Sequence, residues 1–356
     1  MAKIPVSVCI IAKNEEKYIE KCLQKISEYG FEIVVTDTGS TDKTKEIAQK
    51  YADKVIDFVW IDDFSAARNF CAAQASNNWI LALDCDEYVE HIDLSSLRII
   101  MQKCLRYRGV LRLKSLIYTE TGEKRYTSDD VVRFYNKKFF HFKAPVHEQI
   151  YPLDPKIDVE DCANIMLPIE VIHYGYLITG VQMQEKQKRN LKLLHSALEK
   201  EPENPYLYFQ IGQSEFILGN NEEACTFYEK GLSFGVLPDV LYIEMMIESL
   251  ATAYVHSGRK QEAQQLMEKY QNQFHTAKYS YVQANVYMDN NQPIKGLLCY
   301  VKATTMADVD SLGEGLMLCY QNIIELYKEM GNQEMVSLFT EKYQRCVAEC
   351  ARILEV

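Results

Sequence analysis

The sequence changes character near residue 180, and this change constrains the fold more than any other feature. Before it, short apolar runs alternate with amphipathic segments; after it, strand signals nearly vanish. The apolar runs are VSVCII at 6–11, FEIVVTD at 31–37, KVIDFVW at 54–60 and WILALD at 79–84. Strands alternating with helices are typical of βαβ units around a largely parallel sheet. We therefore predict an α/β domain over residues 1–180 and an all-α domain over 181–356.

Two further strand-like runs follow within the predicted α/β domain, at 109–118 and 130–135. The segment 151–168 holds three prolines and four acidic residues, a composition that favours a loop. Loops of this length are often functional.

The second half contains four similar segments whose small residues recur at fixed offsets. Small residues at the eighth and twentieth positions let two helices approach closely, and Gly or Asn near the fifteenth suits a turn. The eighth and fifteenth positions are held by Gly212 and Gly219, Ala251 and Gly258, Ala284 and Asn291, and Ile324 and Gly331. These units resemble tetratricopeptide repeats, and a generic helical bundle stays open as the alternative.

The overall composition excludes several classes of protein. The 356 residues are 47% hydrophobic and 25% charged, which suits two globular domains. A net charge of −11 argues against broad nucleic-acid binding. The 11 cysteines form no CxxC pair, so we expect reduced thiols in a cytoplasm. We expect no secretory signal and no transmembrane helix, because no apolar run approaches the roughly 20 residues that span a bilayer.

Three acidic residues, Asp84, Asp86 and Glu87, directly follow the apolar run that starts at Trp79. Ligands of parallel sheets bind at the carboxyl ends of the strands, where these acids are expected. Because carboxylates repel one another, we expect a hard divalent cation among them. An acidic, solvated turn that begins a helix is the alternative.

Three segments taken in order resemble the family 2 glycosyltransferases. They are CIIAKNEEKYIEKCL at 9–23, VVTDTGSTDKTKEIA at 34–48 and DDFSAARNFCAAQASNNWILALDCDE at 62–87. Downstream, APVHEQI at 144–150 and IHYGY at 172–176 resemble a subgroup whose transferase domain precedes tetratricopeptide-like repeats. That subgroup includes bacterial peptide S-glycosyltransferases of the sublancin type. The resemblance implies a Rossmann-like GT-A domain that binds a nucleotide sugar and carries a DXD motif.

The resemblance also implies roles for particular residues in binding the donor and a metal ion. The nucleotide sugar would contact Ala12, Asn14, Glu15, Asp37, Arg68 and Asp84. Asp86 and His173 would hold Mn²⁺ or Mg²⁺ against the diphosphate, and an imidazole ligand favours Mn²⁺. Thr38 follows Asp37 where many relatives carry a second acid, so uracil as the base is an expectation only.

The resemblance implies that Glu148 is the catalytic base. Inversion needs a carboxylate that takes the proton of the acceptor nucleophile. Asp129 and Asp130 are the competing candidates, and Arg133 would contact the acceptor or pair with one of these acids. Glu87 is either a carboxylate behind the metal ligands or a residue that begins a helix.

We therefore expect an inverting glycosyltransferase that uses a nucleotide sugar, with UDP favoured. The repeats favour a peptide or protein acceptor, and a homodimer interface is their other use. Tyrosines of the repeats either line a peptide groove or pack between helices; they are Tyr206, Tyr208, Tyr242 and Tyr279. The alternatives are a transferase for envelope polysaccharide or a lipid-linked sugar, and a non-catalytic scaffold.

Overall fold

The computed structural model describes residues 4–118, 124–159, 161–175, 180–235 and 241–354. Internal contacts divide the chain into two units, which are described separately below. The first consists of Met1–Ile117 and Asp129–Leu177, and the second of Tyr118–Ser128 and Ile178–Val356.

The first unit alternates strands and helices along its N-terminal part, as the apolar pattern predicts. Its helices are α1 (Ile19–Ser27), α2 (Thr44–Tyr51), α3 (Phe64–Gln74) and α4 (Leu94–Lys103). The strands, two of which continue into the second unit, are β1 (Val6–Ala12), β2 (Glu32–Asp37), β3 (Lys54–Asp57), β4 (Trp79–Leu83), β5 (Glu87–Ile92), β6 (Arg108–Tyr118), β7 (Lys124–Asn136), β8 (Phe140–Lys143), β9 (Gln149–Pro152) and β10 (Asn164–His173).

Eight strands form one sheet in the order β3-β2-β1-β4-β7-β6-β10-β5. Strands β1 to β4 are parallel to their neighbours within this group. Strand β7 is antiparallel to β4, and β5 is antiparallel to β10. Strands β8 and β9 form a separate two-stranded sheet. The predicted α/β class with a mostly parallel, Rossmann-like sheet is confirmed.

The parallel strands β1 and β4 are almost wholly apolar because both faces of the sheet are covered there. In β1, Val8 and Ile10 join the core that includes Leu23 of α1, whereas Cys9 points to the opposite core with Cys71 of α3. Parallel strands with helices on both faces show this uninterrupted apolar pattern.

The register of the sheet brings the ends of three strands together. Ile10 pairs with Leu83, and Ala12 pairs with Asp37. Asp84, which follows Leu83, therefore lies at the same carboxyl edge as Ala12 and Asp37. In open α/β sheets this edge is where ligands bind.

The predicted loop over 151–168 is wrong at both ends, because Gln149–Pro152 forms β9 and Asn164–His173 forms β10 between β6 and β5. Pro168 led us to predict no strand at the C-terminal end, because proline cannot donate a backbone hydrogen bond to a neighbouring strand. The pairing of β10 with β6 shifts register between Met166 and Glu170, so Pro168 falls at an irregularity that tolerates it. Glu87 begins β5, which overturns the expected alternative that it begins a helix.

The helices of the second unit pair as hairpins in chain order. They are α5 (Gly180–Lys200), α6 (Pro205–Ile217), α7 (Asn221–Leu232), α8 (Leu241–His256), α9 (Lys260–Tyr270), α10 (Ala277–Asp289), α11 (Pro293–Ala303), α12 (Gly315–Glu329) and α13 (Gln333–Leu354), with a 3₁₀ helix at Val309–Leu312. Within the described ranges, α6 to α13 form four antiparallel pairs. The predicted all-α, tetratricopeptide-like half is confirmed.

The small residues of the repeat have the physical role that their spacing predicts. A Cβ at Gly212 would lie 2.5 Å from the Tyr228 ring, so α6 and α7 need glycine to approach this closely. At the turn positions, Gly219 has φ of 83° and Gly258 has φ of 79°, values that disfavour other residues.

One strand segment packs with the helices, which the sequence analysis did not predict. Residues 118–128 belong to the second unit. There, Lys278 Nζ donates to the Ser128 carbonyl at 2.8 Å, and a Cβ at Gly313 would lie 3.3 Å from Ser128 N. These partners are about 150 residues apart in the chain, so no local pattern indicates them.

The tyrosines considered for a peptide groove instead take part in packing between helices. Tyr279 is 1% exposed and its hydroxyl donates to the Met267 carbonyl. The rings of Tyr206 and Tyr242 meet edge to face at 5.0 Å. The Tyr208 hydroxyl donates to a main-chain carbonyl at 2.9 Å. This outcome favours the packing alternative for these residues.

Glu248 of α8 is an acid in an unfavourable place. Its Oε1 atom is buried and accepts no hydrogen bond from any residue that the structure describes. Burial raises the pKa of Glu248 to about 8; the negative charges of Glu244 and Asp308 add to the effect and Lys278 opposes it. The folded protein therefore keeps this proton to a higher pH than the unfolded chain does.

We predict that Glu248→Gln removes a pH dependence of stability. Between the ordinary pKa of 4.5 and the folded value of about 8, the folded state binds more protons, so the free energy of unfolding falls as pH rises. The slope is at most about 1.4 kcal/mol per pH unit. Urea unfolding of the full chain, followed by circular dichroism at several pH values across that window, should show a flatter pH profile for the variant. Glu223→Gln on the exposed face of α7 is the control; an equal flattening there would contradict the assignment.

Candidate active site

The turn after β1 and the turn after β2 are tied together by reciprocal hydrogen bonds. The Ala12 carbonyl accepts from Thr38 N at 2.9 Å and from Thr38 Oγ1 at 3.1 Å. Asn14 N donates to Ser40 Oγ at 3.0 Å, and Glu15 N donates to Thr44 Oγ1 at 2.6 Å. Asn14 has φ of 57°, a left-handed conformation that asparagine tolerates. The predicted nucleotide-binding turn is therefore a fixed part of the sheet edge.

Asp37 uses one carboxylate oxygen for the fold and leaves the other without a donor. Its Oδ2 accepts from Gly39 N at 3.2 Å and from Ser40 N at 3.1 Å. Its Oδ1 is buried and has no hydrogen-bond partner within the described part of the chain. A buried acceptor without a donor is costly, by about 1–3 kcal/mol. Oδ1 is thus a candidate to accept a hydrogen bond from a ligand.

Two arginines hold the first carboxylate of the DCD sequence. Arg68 Nη2 lies 2.7 Å from Asp84 Oδ1, and Arg133 Nη2 lies 2.8 Å from Asp84 Oδ2. Arg133 Nη2 also lies 3.0 Å from Oε1 of Glu87, whose Oε2 accepts from Asp84 N at 2.9 Å. Arg68 sits on α3, where Asp63 caps the N-terminus by accepting from Ala66 N.

The charges of this cluster shift one another's ionisation. Burial opposes the ionised form of Asp84, but the charges of Arg133 and Arg68 outweigh it and lower the pKa of Asp84 well below its usual range. Burial raises the pKa of Glu87, although Arg133 opposes the shift. Burial also opposes the charge of Arg68, yet the Asp84 and Glu148 carboxylates raise the pKa of its guanidinium. Asp84 and Arg68 are therefore firmly ionised.

Glu148, the predicted base, is joined to this cluster through the same guanidinium. Its Oε1 lies 2.5 Å from Arg68 Nε, and its side chain is 11% exposed. It follows a loop with left-handed backbone at Ala144 and His147, with φ of 80° and 52°. Glu148 and Asp84 are thus joined through one guanidinium group.

The competing base Asp130 is engaged elsewhere in the sheet. Its two carboxylate oxygens accept from Arg112 Nε at 2.8 Å and from Arg112 Nη2 at 3.0 Å. Arg133, for which pairing with Asp129 or Asp130 was one expectation, pairs with Asp84 and Glu87 instead. Its contact with the acceptor stays a prediction.

The two predicted metal ligands lie together on the other side of the DCD turn. His173 Nε2 is 3.4 Å from Asp86 Oδ2, and His173 Nδ1 is 3.0 Å from Ser115 Oγ. Asp86 Oδ1 is buried and no described residue donates to it. A Cβ at Gly175 would lie 1.9 Å from Asp86 Oδ2, so only glycine fits beside this pair.

His173 has a pKa above its ordinary value. Burial of the ring lowers it, but the hydrogen bond with Asp86 and the negative charges of Asp86, Glu87 and Asp84 more than offset that effect. The pair has the mixed nitrogen and oxygen donors that suit a divalent transition metal.

This donor set fits a metal ion that completes its coordination with substrate oxygens. Among the described residues, no group of three or more His, Cys, Asp or Glu side chains is placed to hold a metal alone. Asp86 and His173 supply two ligands, and the Asp86 oxygen without a donor has no competing hydrogen bond. We expected one cation among all three acids, and this expectation is corrected. The guanidinium groups of Arg68 and Arg133 already pair with Asp84 and Glu87.

Sequence reasoning missed Ser115, Gly175 and the pairing of Arg133. Gly175 stands inside the IHYGY segment, so a signal for it existed, whereas Ser115 lies in an ordinary strand-like run. The roles predicted for the donor-binding, metal-binding and catalytic residues stay predictions.

Within the described ranges, no helix combines the length and the apolar character that crossing a bilayer requires.

Comparison with known proteins relates both halves to characterised sequences. Residues 7–103 match the model of Glycosyl transferase family 2. A TPR repeat-containing protein of Synechococcus elongatus is 31% identical over 66% of this chain and 58% of its own length. The SPbeta prophage-derived glycosyltransferase SunS of Bacillus subtilis is 29% identical over 64% of this chain and 54% of its own length. The chain thus spans little more than half of each relative.

Two further matches cover a quarter and a half of the chain. The lipopolysaccharide core biosynthesis glycosyltransferase LpsC of Rhizobium meliloti is 35% identical over 25% of this chain and 34% of its own length. The crystal structure of MamA covers 50% of this chain and 99% of its own, with 17% identity and a TM-score of 0.40. The N-terminal part of the chain, residues 7–103, is therefore similar to glycosyl transferase family 2.

Proposed function

We propose that this protein is an inverting glycosyltransferase that moves a sugar from a nucleotide diphosphate sugar, with UDP favoured, to a side chain of a peptide or protein. The observation that carries the proposal is the convergence of Asp84, Glu148 and the Asp86–His173 pair at one edge of the sheet. These groups supply a donor contact, a base and a metal site.

The nucleoside would bind at the two linked turns. Asp37 Oδ1, buried and lacking a donor among the described residues, would accept a hydrogen bond from the base or the ribose. The turn from Ala12 to Glu15 would contact the nucleoside through its backbone and the Asn14 and Glu15 side chains. Asp84 would meet the ribose or the donor sugar.

Asp86 and His173 would hold Mn²⁺ or Mg²⁺ beside the diphosphate. When bound, such an ion neutralises the negative charge that develops on the leaving diphosphate. Arg68 stays our proposed phosphate contact: Glu148 and Asp84 occupy its Nε and Nη2, and its buried Nη1 has no partner in the described parts of the chain.

Glu148 would act as the general base. It would take the proton of the acceptor nucleophile as the bond to the anomeric carbon forms and the bond to the diphosphate breaks. Arg68 holds Glu148 at a fixed position relative to Asp84, which supports a base placed with respect to the donor.

The favoured acceptor follows from the helical half. The match to SunS extends over 232 residues and so includes part of the helical half, whereas the match to LpsC extends over 92 residues.

A cavity of about 370 Å³ lies between α8, α10 and α11, with Thr252, His256, Asn285 and Asp289 in its lining. We propose that it holds part of the acceptor; a homodimer interface is the other proposed use of the repeats.

We also propose a reducing, cytoplasmic location. The ten cysteines whose side chains the structure describes are free thiols. Thiols persist in that compartment.

We predict that Asp86→Asn largely abolishes the stabilisation of the protein by UDP and Mn²⁺ together. Asparagine keeps the shape but removes the anionic ligand. Binding to the folded state alone raises the unfolding temperature, so a thermal-shift series with and without Mn²⁺ measures the loss. Asp161→Asn, at an exposed aspartate, is the control. If Asp86→Asn matches wild type, the metal assignment is wrong.

We predict that Glu148→Gln slows sugar transfer by about 10² to 10⁴, the usual effect of removing a general base, with UDP binding nearly intact. Transfer is measured by mass spectrometry of the acceptor, and binding by calorimetry. Asp130→Asn is the matched control, because Asp130 was the competing base. Inactivation by Asp130→Asn but not by Glu148→Gln would exchange the two roles.

We predict that Thr252→Arg raises KM for a peptide or protein acceptor by about tenfold, equivalent to about 1.4 kcal/mol, because the longer side chain occupies the cavity. Hydrolysis of the donor sugar should keep its rate. Gln265→Arg on the exposed face of α9 adds the same charge outside the cavity and is the control. An unchanged KM in Thr252→Arg would remove the cavity from the acceptor site.

A further inference from the structure

Ser115 and Gly175 flank the Asp86–His173 pair, and neither has a role in the function proposed so far. We propose that both are positioning residues of the divalent-cation site: Ser115 orients the imidazole, and Gly175 leaves the space in which Asp86 and His173 meet. This inference rests on the metal site of the proposed function and extends it to residues that touch the ligands.

Ser115 is placed by the sheet itself. It lies on β6 opposite His173 of β10, in a parallel pair, and it is 2% exposed. On its other side, β10 pairs His173 with Glu87 of β5. The imidazole is therefore fixed between two neighbouring strands, and Ser115 Oγ is 3.0 Å from its Nδ1.

The hydrogen bond with Ser115 allows the tautomer of His173 whose Nε2 can bind a metal. In a neutral imidazole one nitrogen carries the proton and the other offers a lone pair. When Nδ1 donates its proton to Ser115 Oγ, the lone pair is on Nε2, the atom that lies 3.4 Å from Asp86 Oδ2. Metal-binding histidines generally hydrogen bond to such a partner through the second nitrogen. Loss of that partner usually lowers the affinity for the metal, or the activity, 10- to 100-fold.

Gly175 acts through the absence of a side chain. Its Cβ would lie 1.9 Å from Asp86 Oδ2 and 2.6 Å from His173 Nε2, the two atoms that would bind the cation. The preceding residue is anchored, because Tyr174 N donates to the Asp86 carbonyl at 2.8 Å. The backbone is thus held against the pair, and a methyl group would displace both ligands.

The alternative is that the hydrogen bond of Ser115 only satisfies a buried histidine. The affinity for UDP separates the two roles when it is measured by calorimetry on the full chain, once with Mn²⁺ and once with EDTA. The ratio of the two affinities reports the contribution of the cation, and the value in EDTA reports whether the nucleoside site is intact.

We predict that Ser115→Ala reduces this ratio about tenfold or more, with the EDTA value unchanged. Gly175→Ala should remove the Mn²⁺ enhancement altogether. Ser128→Ala is the matched control for Ser115→Ala, because Ser128 is also a buried strand serine, 5% exposed, and no described residue hydrogen bonds to its hydroxyl. Gly180→Ala is the control for Gly175→Ala, since its Cβ would meet nothing within 4 Å.

The outcomes separate this inference from the proposed function. If wild type shows the Mn²⁺ enhancement and Ser115→Ala retains it in full, the inference fails and the proposed function stands. If wild type shows no enhancement, the metal site and the inference both fail. Should Ser115→Ala not fold, Ser115→Cys decides, because a thiol is of similar size but a weak hydrogen-bond partner. A reduced ratio with the EDTA value kept supports the inference, and a wild-type ratio overturns it.

Discussion

The arrangement of the first unit around its candidate site depends on the ion pairs that Asp84 makes with Arg68 and Arg133. Arg68 comes from α3, Arg133 from β7, and Asp84 from the turn after β4. Glu148 and Glu87 join through the same two guanidinium groups. Arg68 is 5% exposed, so losing Asp84 or Glu148 would leave its buried charge without one of its partners. The network therefore fixes several elements, distant in sequence, at one edge of the sheet.

The same network explains why a donor diphosphate would need its own cation. Both arginines are already paired with protein carboxylates, so beyond the proposed contact of Arg68 Nη1 they leave little net positive charge to neutralise a diphosphate. The raised pKa of Glu87 shows that burial there already disfavours another negative charge. Asp86 points instead towards His173, outside the two arginine pairs. A divalent ion at that pair would supply charge that the arginines cannot.

The sequence predicts those features that depend on local periodicity. Alternating apolar runs indicate the parallel sheet, and recurrent small residues such as Gly212 indicate the helical hairpins, because close packing imposes them at fixed spacing. The contacts that build the site lie far apart in the chain: Arg133 pairs with Asp84 across 49 positions and Ser115 meets His173 across 58. No local pattern encodes such pairs. The same holds for Ser128, whose partner Lys278 lies 150 positions away.

Three atoms at the candidate site argue against the alternative that this protein is a non-catalytic scaffold. Asp37 Oδ1, Asp86 Oδ1 and Arg68 Nη1 are buried and have no hydrogen-bond partner among the described residues. Each such atom costs about 1–3 kcal/mol, and a protein that only presented its helices would gain stability from replacing these side chains. The three atoms are an acceptor beside the nucleoside turn, a carboxylate oxygen beside an imidazole, and a guanidinium nitrogen. Arg133 Nε of the same cluster is also buried without a described partner. A nucleoside, a divalent cation and a diphosphate would be complementary to the three atoms in that order, which supports the proposed metal–nucleotide ligand.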